Sequence, residues 1–304
     1  MTINQLKYVL AVYQSSSMRE AAGKLYVTQP ALSASIRELE EEIGVVIFDR
    51  TNKGITTTKQ GEEFIEYAKR AINQFELLED RYVDSDKEKV YFSVSSQHYS
   101  FAINAFSNVV KKIDNNKYVY SFHETKTKDV LENVRDMKSE VGIISFTANN
   151  EKIIKKLLKE YNLEFEFLME RENYADVWKT HKLASKKSIS IKELQDYPCI
   201  TFEQKNDADF YLNEEALSDY KFDKLIKSED RATSMELIAL LDGYSIGSGM
   251  LAEKGEILEG LVSIKLEEED PIRIGYIKRK GIELSEMGQE YVEELSKYKD
   301  EDQN

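Results

Sequence analysis

The chain has 304 residues, of which 41% are hydrophobic and 32% are charged, a composition typical of about two globular domains. Its formal net charge of −14 excludes a protein that coats nucleic acid or an anionic membrane with its whole surface. A single cysteine, Cys199, excludes an internal disulfide or a site with several cysteine ligands. Polar residues near the N-terminus and the lack of an apolar run of about 18 residues predict neither a secretion signal nor a membrane span. We therefore expect a cytoplasmic protein.

The acidic excess is not spread evenly along the chain. Residues 1–58 contain six basic and six acidic residues, so the whole excess lies in residues 59–304. A neutral first segment before an acidic body indicates two different tasks in one chain, and it leaves room for a local nucleic-acid-binding face.

Two short helices are predicted at the start of the chain. Apolar residues recur at spacings of three and four in residues 3–13, as in an amphipathic helix. Thr2 and Gln5 have the spacing of a capping box at its N-terminus, and Ser17 and Glu20 repeat that spacing before a second helix.

A third helix is predicted after Thr28, a good N-cap residue, with Pro30 in its first turn, where the missing amide hydrogen would have no helical partner. Its apolar stripe consists of Leu32, Ile36, Leu39 and Ile43. Gly44 predicts the end of this helix.

A hairpin is predicted next. The β-rich runs 45–50 and 55–58 flank the turn-forming residues 51–54. With the three helices, this hairpin makes residues 1–58 the first predicted domain.

The third helix has a polar face away from its apolar stripe. That face carries Gln29, Pro30, Ser33, Ala34 and Arg37. Small side chains would let such a helix enter the major groove, where Gln29 can pair with adenine and Arg37 can contact guanine or phosphate. The alternative is an ordinary solvated face, which composition alone favours.

A long helix is predicted from residue 59 to about residue 86. Its apolar residues step by four and three along Phe64, Ala68, Ala71, Phe75, Leu78 and Tyr82. This spacing is typical of a coiled-coil seam, but a helix packed on its own chain gives the same pattern over so few heptads. Both interpretations stay open, and residues 59–89 are the predicted linker between two domains.

After residue 90, predicted strands and helices alternate, which indicates an α/β fold with parallel strands. The pattern occurs twice and predicts a two-lobed binding domain over residues 90–304. Lobe I would comprise residues 90–161 and 267–304, and lobe II would comprise residues 162–266, with a cleft between them.

The order of residues in the first domain is more specific than its helical face. The segments concerned are Ser17-Met18-Arg19-Glu20-Ala21-Ala22, Leu25, Val27-Thr28-Gln29-Pro30-Ala31-Leu32-Ser33, Ile36, Leu39-Glu40, Gly44, Phe48, Arg50, Thr56, Thr58 and Gly61. This order resembles the N-terminal winged helix-turn-helix of LysR-type transcriptional regulators. The resemblance implies a sequence-specific DNA-binding regulator with an α+β head, a long linker helix and a bilobed α/β effector domain like periplasmic binding proteins.

The resemblance also implies partners. A double-stranded, dyad-symmetric DNA site, a small-molecule effector between the lobes, and a homodimer or homotetramer formed partly through the linker helix are expected. No cofactor, metal or catalytic residue is expected.

Carried over residue by residue, the resemblance places the helix-turn-helix at residues 18–37. The DNA-binding residues it implies are Arg19, Thr28, Gln29, Pro30, Ser33, Arg37, Arg50 and Lys53. Gln29, Pro30 and Ser33 would contact bases, with Thr28 and Arg37 at phosphates or the groove edge. Arg50 and Lys53 would serve the wing, unless Arg50 is a structural ion-pair partner. Many family members have arginine where this chain has Ala34, which removes one groove contact.

Family logic places the effector at loops that follow strands. The residues so implied are Ser95, Ser96, Gln97, His98, Thr125, Ser145, Thr147, Thr201, Phe202 and Ser248. Hydroxyls and amides near a helix N-terminus suit an anion, although Ser96 or Gln97 could be only a helix cap.

Cys199 and His123 each have more than one interpretation, and a solute-binding receptor or an enzyme is an alternative function. Cys199 could sense oxidants, but its place beside Pro198 and Ile200 favours a buried thiol; His123 is expected to be structural. A solute-binding receptor would leave residues 1–88 without a use. An enzyme is disfavoured because the sequence has no nucleophile–base pair, phosphate loop or metal-spaced cluster.

Overall fold

The computed structural model describes residues 1–51, 54–82, 89–112, 117–203, 212, 216–217, 220–250 and 260–299. The chain divides into two compact units, Met1–Glu88 and Lys89–Asn304. No helix in the described part of the chain is both long enough and apolar enough to span a bilayer.

The first unit is a helical domain with one hairpin and a long final helix. Its elements in chain order are α1 (Ile3–Tyr13), α2 (Met18–Lys24), α3 (Gln29–Ile43), β1 (Phe48–Thr51), β2 (Gly54–Thr57) and α4 (Lys59–Tyr82). The predicted winged helix-turn-helix is confirmed.

The predicted caps explain where the first two helices begin. The Thr2 hydroxyl accepts a hydrogen bond from the Gln5 amide, and the Gln5 side chain accepts one from the Thr2 amide. Ser17 caps α2 through the Glu20 amide. The Glu20 carboxylate, however, accepts its bonds from the amide and hydroxyl of Ser16 rather than from Ser17.

Helix α3 follows the predicted pattern at both ends. Thr28 precedes it, although the threonine side chain makes no capping hydrogen bond. Leu32, Ile36 and Leu39 are fully buried against α1 and α2. Gly44 ends the helix with φ 69°, a left-handed conformation that glycine adopts without steric cost.

The start of α4 is locked onto the loop before the hairpin. The Thr58 hydroxyl donates to the Val46 carbonyl at 2.6 Å and accepts from the Gly61 amide at 2.9 Å. A Cβ at residue 61 would lie 2.2 Å from the Ile47 carbonyl oxygen, so only glycine fits this approach. Thr58 and Gly61, two of the family-like residues, are therefore structural.

The second unit contains sixteen α-helices and β-strands among its described residues. They are β3 (Val90–Ser96), α5 (Ser100–Lys112), β4 (Tyr118–Glu124), α6 (Thr127–Arg135), β5 (Val141–Phe146), α7 (Glu151–Glu160), β6 (Leu163–Arg171), β7 (Tyr174–Trp178), β8 (Ser188–Ile189), β9 (Cys199–Phe202), β10 (Leu225–Ser228), α8 (Arg231–Leu241), β11 (Tyr244–Gly247), β12 (Leu261–Leu266), β13 (Ile272–Arg279) and α9 (Glu286–Ser296).

These strands form two sheets, one in each lobe. The first has the order β4-β3-β5-β13-β6 and the second the order β10-β9-β11-β7-β12-β8. Strand β3 pairs in parallel with β4 and β5, as alternation predicts, but β13 is antiparallel to both β5 and β6. In the second sheet β9 and β10 are parallel, whereas β7 is antiparallel to β11 and β12, so both sheets are mixed.

The sheet order moves one predicted boundary. Lobe II was expected to start at residue 162, yet β6 pairs with β13 along its whole length and so belongs to the first sheet. The chain enters the second sheet only at β7. Strand and helix alternation cannot distinguish these two arrangements, because partner choice is a long-range property.

Candidate nucleic-acid interface and ligand cavity

The predicted recognition face of α3 is open to solvent. Gln29, Pro30, Ala34 and Arg37 are exposed and Ser33 is half-buried. The apolar stripe on the opposite side is fixed in the core of the first unit. The polar face is therefore held in one orientation by packing that does not involve it.

The turn between α2 and α3 gives the helix-turn-helix its shape. The Val27 amide donates to the Ala22 carbonyl at 3.0 Å. Between them, Tyr26 adopts φ 55° and is 97% exposed. Sequence reasoning did not single out Tyr26, because a left-handed tyrosine has no signature in composition or periodicity.

The charges around this face are unevenly paired. Arg19 and Arg37 are exposed and make no ion pair with any described residue, whereas Lys24 pairs with Glu20 at 2.8 Å. The Glu40 carboxylate is used inside the unit, where it accepts the amides of residues 47 and 48 at 2.7 and 3.1 Å. Glu40 thus has a structural role in the first unit, where it holds the start of β1.

The wing residues are only partly described. Arg50 lies in β1 opposite Ile55 of β2. Lys53 lies outside the described residues. Their expected contacts with DNA stay predictions.

The predicted seam of α4 divides into two parts. Ala68 is buried and packs with half-buried Phe64 against α1, as the own-chain alternative expects. Ala71 is exposed, Leu78 is 55% exposed, and half-buried Phe75 has the Lys7 ammonium 5.6 Å from its ring centre. Tyr82, the last seam position, is the final residue of α4.

The second unit contains a cavity of about 110 Å³ between the loop after β3 and the second sheet. Three predicted effector residues, His98, Phe202 and Ser248, line it. The walls are largely apolar, with Ile200, Met235, Ile238, Ile246, Met250, Leu261 and Ile272 among the lining residues.

Seven other predicted effector residues do not line this cavity. They are Ser95, Ser96, Gln97, Thr125, Ser145, Thr147 and Thr201. Most of their polar groups bind one another or nearby backbone instead. The Gln97 side-chain oxygen accepts from the Ser145 amide at 2.6 Å, and the hydroxyls of Ser95 and Ser139 are 2.8 Å apart. The Gln97 bond joins the loop after β3 to β5, and direct contact of these seven residues with an effector stays a prediction.

The sequence did not reveal a charged network that includes two cavity-lining residues, His98 and Arg231. The Glu124 carboxylate contacts Nδ1 of His98 at 2.8 Å and the Arg231 guanidinium at 3.0 Å. Arg231 also donates to the Ser100 hydroxyl at 2.8 Å, and the His98 ring stacks on Phe202 with centres 3.6 Å apart. Burial would raise the pKa of Glu124, but His98 and Arg231 together lower it, which keeps this carboxylate ionised.

A second missed residue is an acid inside the cavity. Asp176 of β7 lines it and is 2% exposed. Burial raises the pKa of its carboxyl from 3.8 to about 7, and a hydrogen bond donated by the Ser263 hydroxyl offsets part of that rise. In the sequence, the strand residues 174–178 show nothing to distinguish this aspartate.

The remaining single residues agree with their plainer interpretations. Cys199 is 1% exposed and lies in β9. His123 is half-buried in β4, where burial and nearby Lys138 lower its pKa. Neither lines the cavity.

Comparison with known proteins gives a consistent result. Residues 3–62 match the model of the family described as bacterial regulatory helix-turn-helix protein, lysR family. The transcriptional regulator BsdA of Bacillus subtilis is 42% identical over 77 residues, which cover 25% of this chain and 27% of BsdA. AlsR of the same species is 28% identical over 205 residues, covering 66% and 64%. The matched segments thus span less than two thirds of either relative.

Solved structures extend the likeness to the whole fold. CbnR, solved in a complex with its target DNA, aligns over 98% of this chain and 99% of its own, with 18% identity and a TM-score of 0.63. Full-length OxyR from Pseudomonas aeruginosa aligns over 98% and 94%, with 17% identity and a TM-score of 0.54. Residues 3–62 therefore match the lysR family of bacterial regulatory helix-turn-helix proteins, and the whole chain shares the fold of these solved structures.

Proposed function

We propose that this protein is a sequence-specific, DNA-binding transcriptional regulator whose activity is modulated by a small molecule bound in the cavity of its second unit. The observation that supports this most directly is the exposed polar face of α3, held by a buried apolar stripe. It acts in the cytoplasm, where bacterial DNA lies, and it has no catalytic activity of its own.

The chemistry of α3 fits the major groove. Gln29 can bond an adenine edge with both groups of its amide, Ser33 can bond a base or bridge through water, and Arg37 lies one turn further on. Ala34 leaves space for close approach of the helix. Arg19 and Thr28 would contact phosphates, which position the helix without reading sequence.

The test is binding of the full chain to its own upstream DNA, measured by fluorescence anisotropy against a scrambled duplex. Gln29→Ala and Ser33→Ala should each reduce discrimination by about 1–3 kcal/mol while nonspecific binding persists. Gln60→Ala, a matched exposed glutamine on α4, should change nothing. Unchanged discrimination in both α3 variants would contradict the assignment of this face.

The exposed part of α4 is the proposed self-association surface. Ala71 and Leu78, together with half-buried Phe75, form its available seam, while Phe64 and Ala68 support it from within the chain. Leu78→Glu should shift the protein toward monomers in sedimentation velocity, because a charge without a partner is costly in an apolar interface. Asn73→Glu, exposed elsewhere on the same helix, is the control. An unchanged oligomer in Leu78→Glu would exclude this seam as the main contact.

A further inference from the structure

A row of polar side chains crosses the middle of the second sheet. Ser245 of β11 and Ser263 of β12 both stand directly opposite Asp176 of β7 in antiparallel register. Residues in such register point to the same face of a sheet. Asp176 and Ser245 line the cavity, so this row forms a polar strip in an otherwise largely apolar wall.

The two carboxyl oxygens of Asp176 have different neighbours, a hydroxyl donor beside Oδ1 and the backbone of Gly247 near Oδ2. The Ser263 hydroxyl donates to Oδ1. A Cβ at Gly247 would lie 3.1 Å from Oδ2, so glycine keeps this strand close without filling the space beside the acid. The Ser263 hydroxyl thus supplies a donor to Oδ1, whereas Oδ2 faces the small residue Gly247.

The charged groups nearest along the sheet do not neutralise Asp176. By the alternation of a strand, Tyr174 and Trp178 share its face of β7. On β12, Lys265 stands opposite Tyr174, but its ammonium pairs with Glu172 at 2.6 Å. The acid is flanked along its strand by aromatic side chains.

Arg231, the other charged side chain of the cavity wall, already has a counter-charge in Glu124. The Arg231 guanidinium pairs with Glu124 at 3.0 Å and bonds Ser100 at 2.8 Å. Its formal charge therefore has a counter-charge in Glu124, although its buried Nε makes no hydrogen bond with any described residue. The uncompensated formal charge of the cavity is the negative charge that Asp176 carries when ionised.

We propose that the cavity selects a small organic cation, a primary amine on an apolar body, whose ammonium group bonds Asp176 while the body packs on the apolar wall. This inference rests on the proposed effector role of the cavity. It reverses the expectation of an anionic effector, which rested on hydroxyls and backbone amides near a helix N-terminus. A charge-assisted hydrogen bond in a buried site is stronger than a neutral one, so the head group should dominate selectivity.

The experiment compares three probes that share one apolar body: isoamylamine, 3-methylbutan-1-ol and isovalerate. Binding to the full chain is measured by isothermal titration calorimetry near neutral pH. The amine should bind at least tenfold more tightly than the alcohol, and isovalerate should bind most weakly. Asp176→Asn should abolish the preference for the amine, whereas Asp196→Asn, an exposed aspartate of the same unit, should retain it.

A second measurement uses the unaltered chain and does not depend on how the variant folds. Because a bound ammonium favours the ionised carboxylate, amine binding should release protons at pH values near and below 7. The released protons appear as a dependence of the binding heat on the ionisation enthalpy of the buffer. The alcohol should release none.

Three results would overturn the proposal: equal affinities for the three probes, preference for isovalerate, or no binding of the amine at millimolar concentration. Failure of the proposed function would look different. In that case the unliganded chain would not distinguish its upstream DNA from a scrambled duplex, whichever probe the cavity binds.

Discussion

The two units of the molecule place their functional groups in opposite ways. On α3, the groups proposed to contact DNA are exposed, and the apolar stripe that holds them is on the other side of the helix. In the second unit, the polar groups around the cavity are buried or half-buried and contact one another, as Glu124 contacts half-buried His98 and Arg231. Apolar packing on the opposite side of α3 holds the proposed DNA-contacting residues in place. The polar side chains of the cavity wall instead hold one another in place.

This difference has a consequence for how each site responds to change. A surface side chain that touches only solvent can be replaced with little effect on folding. A buried polar group cannot, because its former partners lose their hydrogen bonds in a medium that water does not reach. Function and stability should therefore be separable in the first unit and linked in the second.

The largest expected effect tests that separation on two adjacent residues of α3. Ile36 is 0% exposed in the core, and Arg37 is exposed. Ile36→Ala should destabilise the first unit by about 2–5 kcal/mol, because it removes buried methyl groups and leaves a cavity. Arg37→Ala should weaken DNA binding without altering stability. Urea unfolding followed by circular dichroism measures stability, and fluorescence anisotropy measures DNA binding. Equal stability of the two variants would contradict the separation of function from stability in the first unit.

The next effect concerns the pH dependence of the second unit. Because the pKa of Asp176 is raised from 3.8 to about 7, the folded state binds its proton more tightly than the unfolded state. The stability that this proton contributes is present at low pH and is lost as pH rises through about 7, by at most roughly 4 kcal/mol. Asp176→Asn should remove that loss.

The measurement compares urea unfolding of the parent and Asp176→Asn at about pH 5 and about pH 8. The variant should gain relative stability at the higher pH. His98, Tyr99 and Arg231, which line the same cavity, and the paired Lys265 are present in both proteins, so their contributions largely cancel. A difference that does not change with pH would show that Asp176 is ionised throughout that range.

The same contrast explains what the sequence could and could not predict. The elements of the first unit follow from short-range signals, such as the Thr2–Gln5 cap and the glycine at residue 44. The cavity depends on residues far apart in the chain: Ser263 reaches Asp176 across 87 positions, and Arg231 reaches Ser100 across 131. No spacing in the sequence reports such pairs, so the acid and the guanidinium were missed.

Position along a strand was also an incomplete guide. The loop after β3 lies beside the cavity, which His98 lines. Ser95 and Gln97, however, face Ser139 and Ser145 within the first sheet. Which of several neighbouring polar residues faces a ligand depends on register, and register is fixed by pairing between distant strands.

A smaller effect tests whether the cavity wall supports itself. Glu124→Gln keeps a hydrogen-bonding group but removes the negative charge beside Arg231, whose side chain is only 17% exposed. We expect a loss of about 1–3 kcal/mol in unfolding free energy. Isovalerate should then bind more tightly than it does to the parent, because Arg231 has lost its counter-charge.

The matched control for that change is Glu164→Gln, which breaks a pair of similar exposure with Lys278 at 2.9 Å outside the cavity. It should cost no more than about 1 kcal/mol and should leave isovalerate binding unchanged. If both variants lost the same stability and neither altered binding, the network around Glu124 would be an ordinary surface ion pair.

The smallest effect concerns the salt dependence of DNA binding and joins the two units through charge. In the described part of the first unit, Arg19 and Arg37 make no ion pair with any described residue, while Lys24 is held by Glu20. If the first unit of each protomer (a head) neutralises two or three DNA phosphates, the logarithm of the DNA association constant K should fall with log salt. The slope should be about 2–3. Doubling the salt concentration would then cost roughly 1 kcal/mol per head.

In a symmetric oligomer bound to both half-sites, the salt dependences of the two heads add. Each bound head also offsets the repulsion between DNA and the acidic chain. The slope measured on a whole dyad site should therefore be about twice that on a duplex with one half-site, and the whole site should bind far more tightly. Arg37→Ala should lower the slope more than Lys24→Ala, because Lys24 must first leave Glu20. Equal slopes on the half and whole sites would mean that a single head carries recognition, and the exposed face of α4 would then have no part in it.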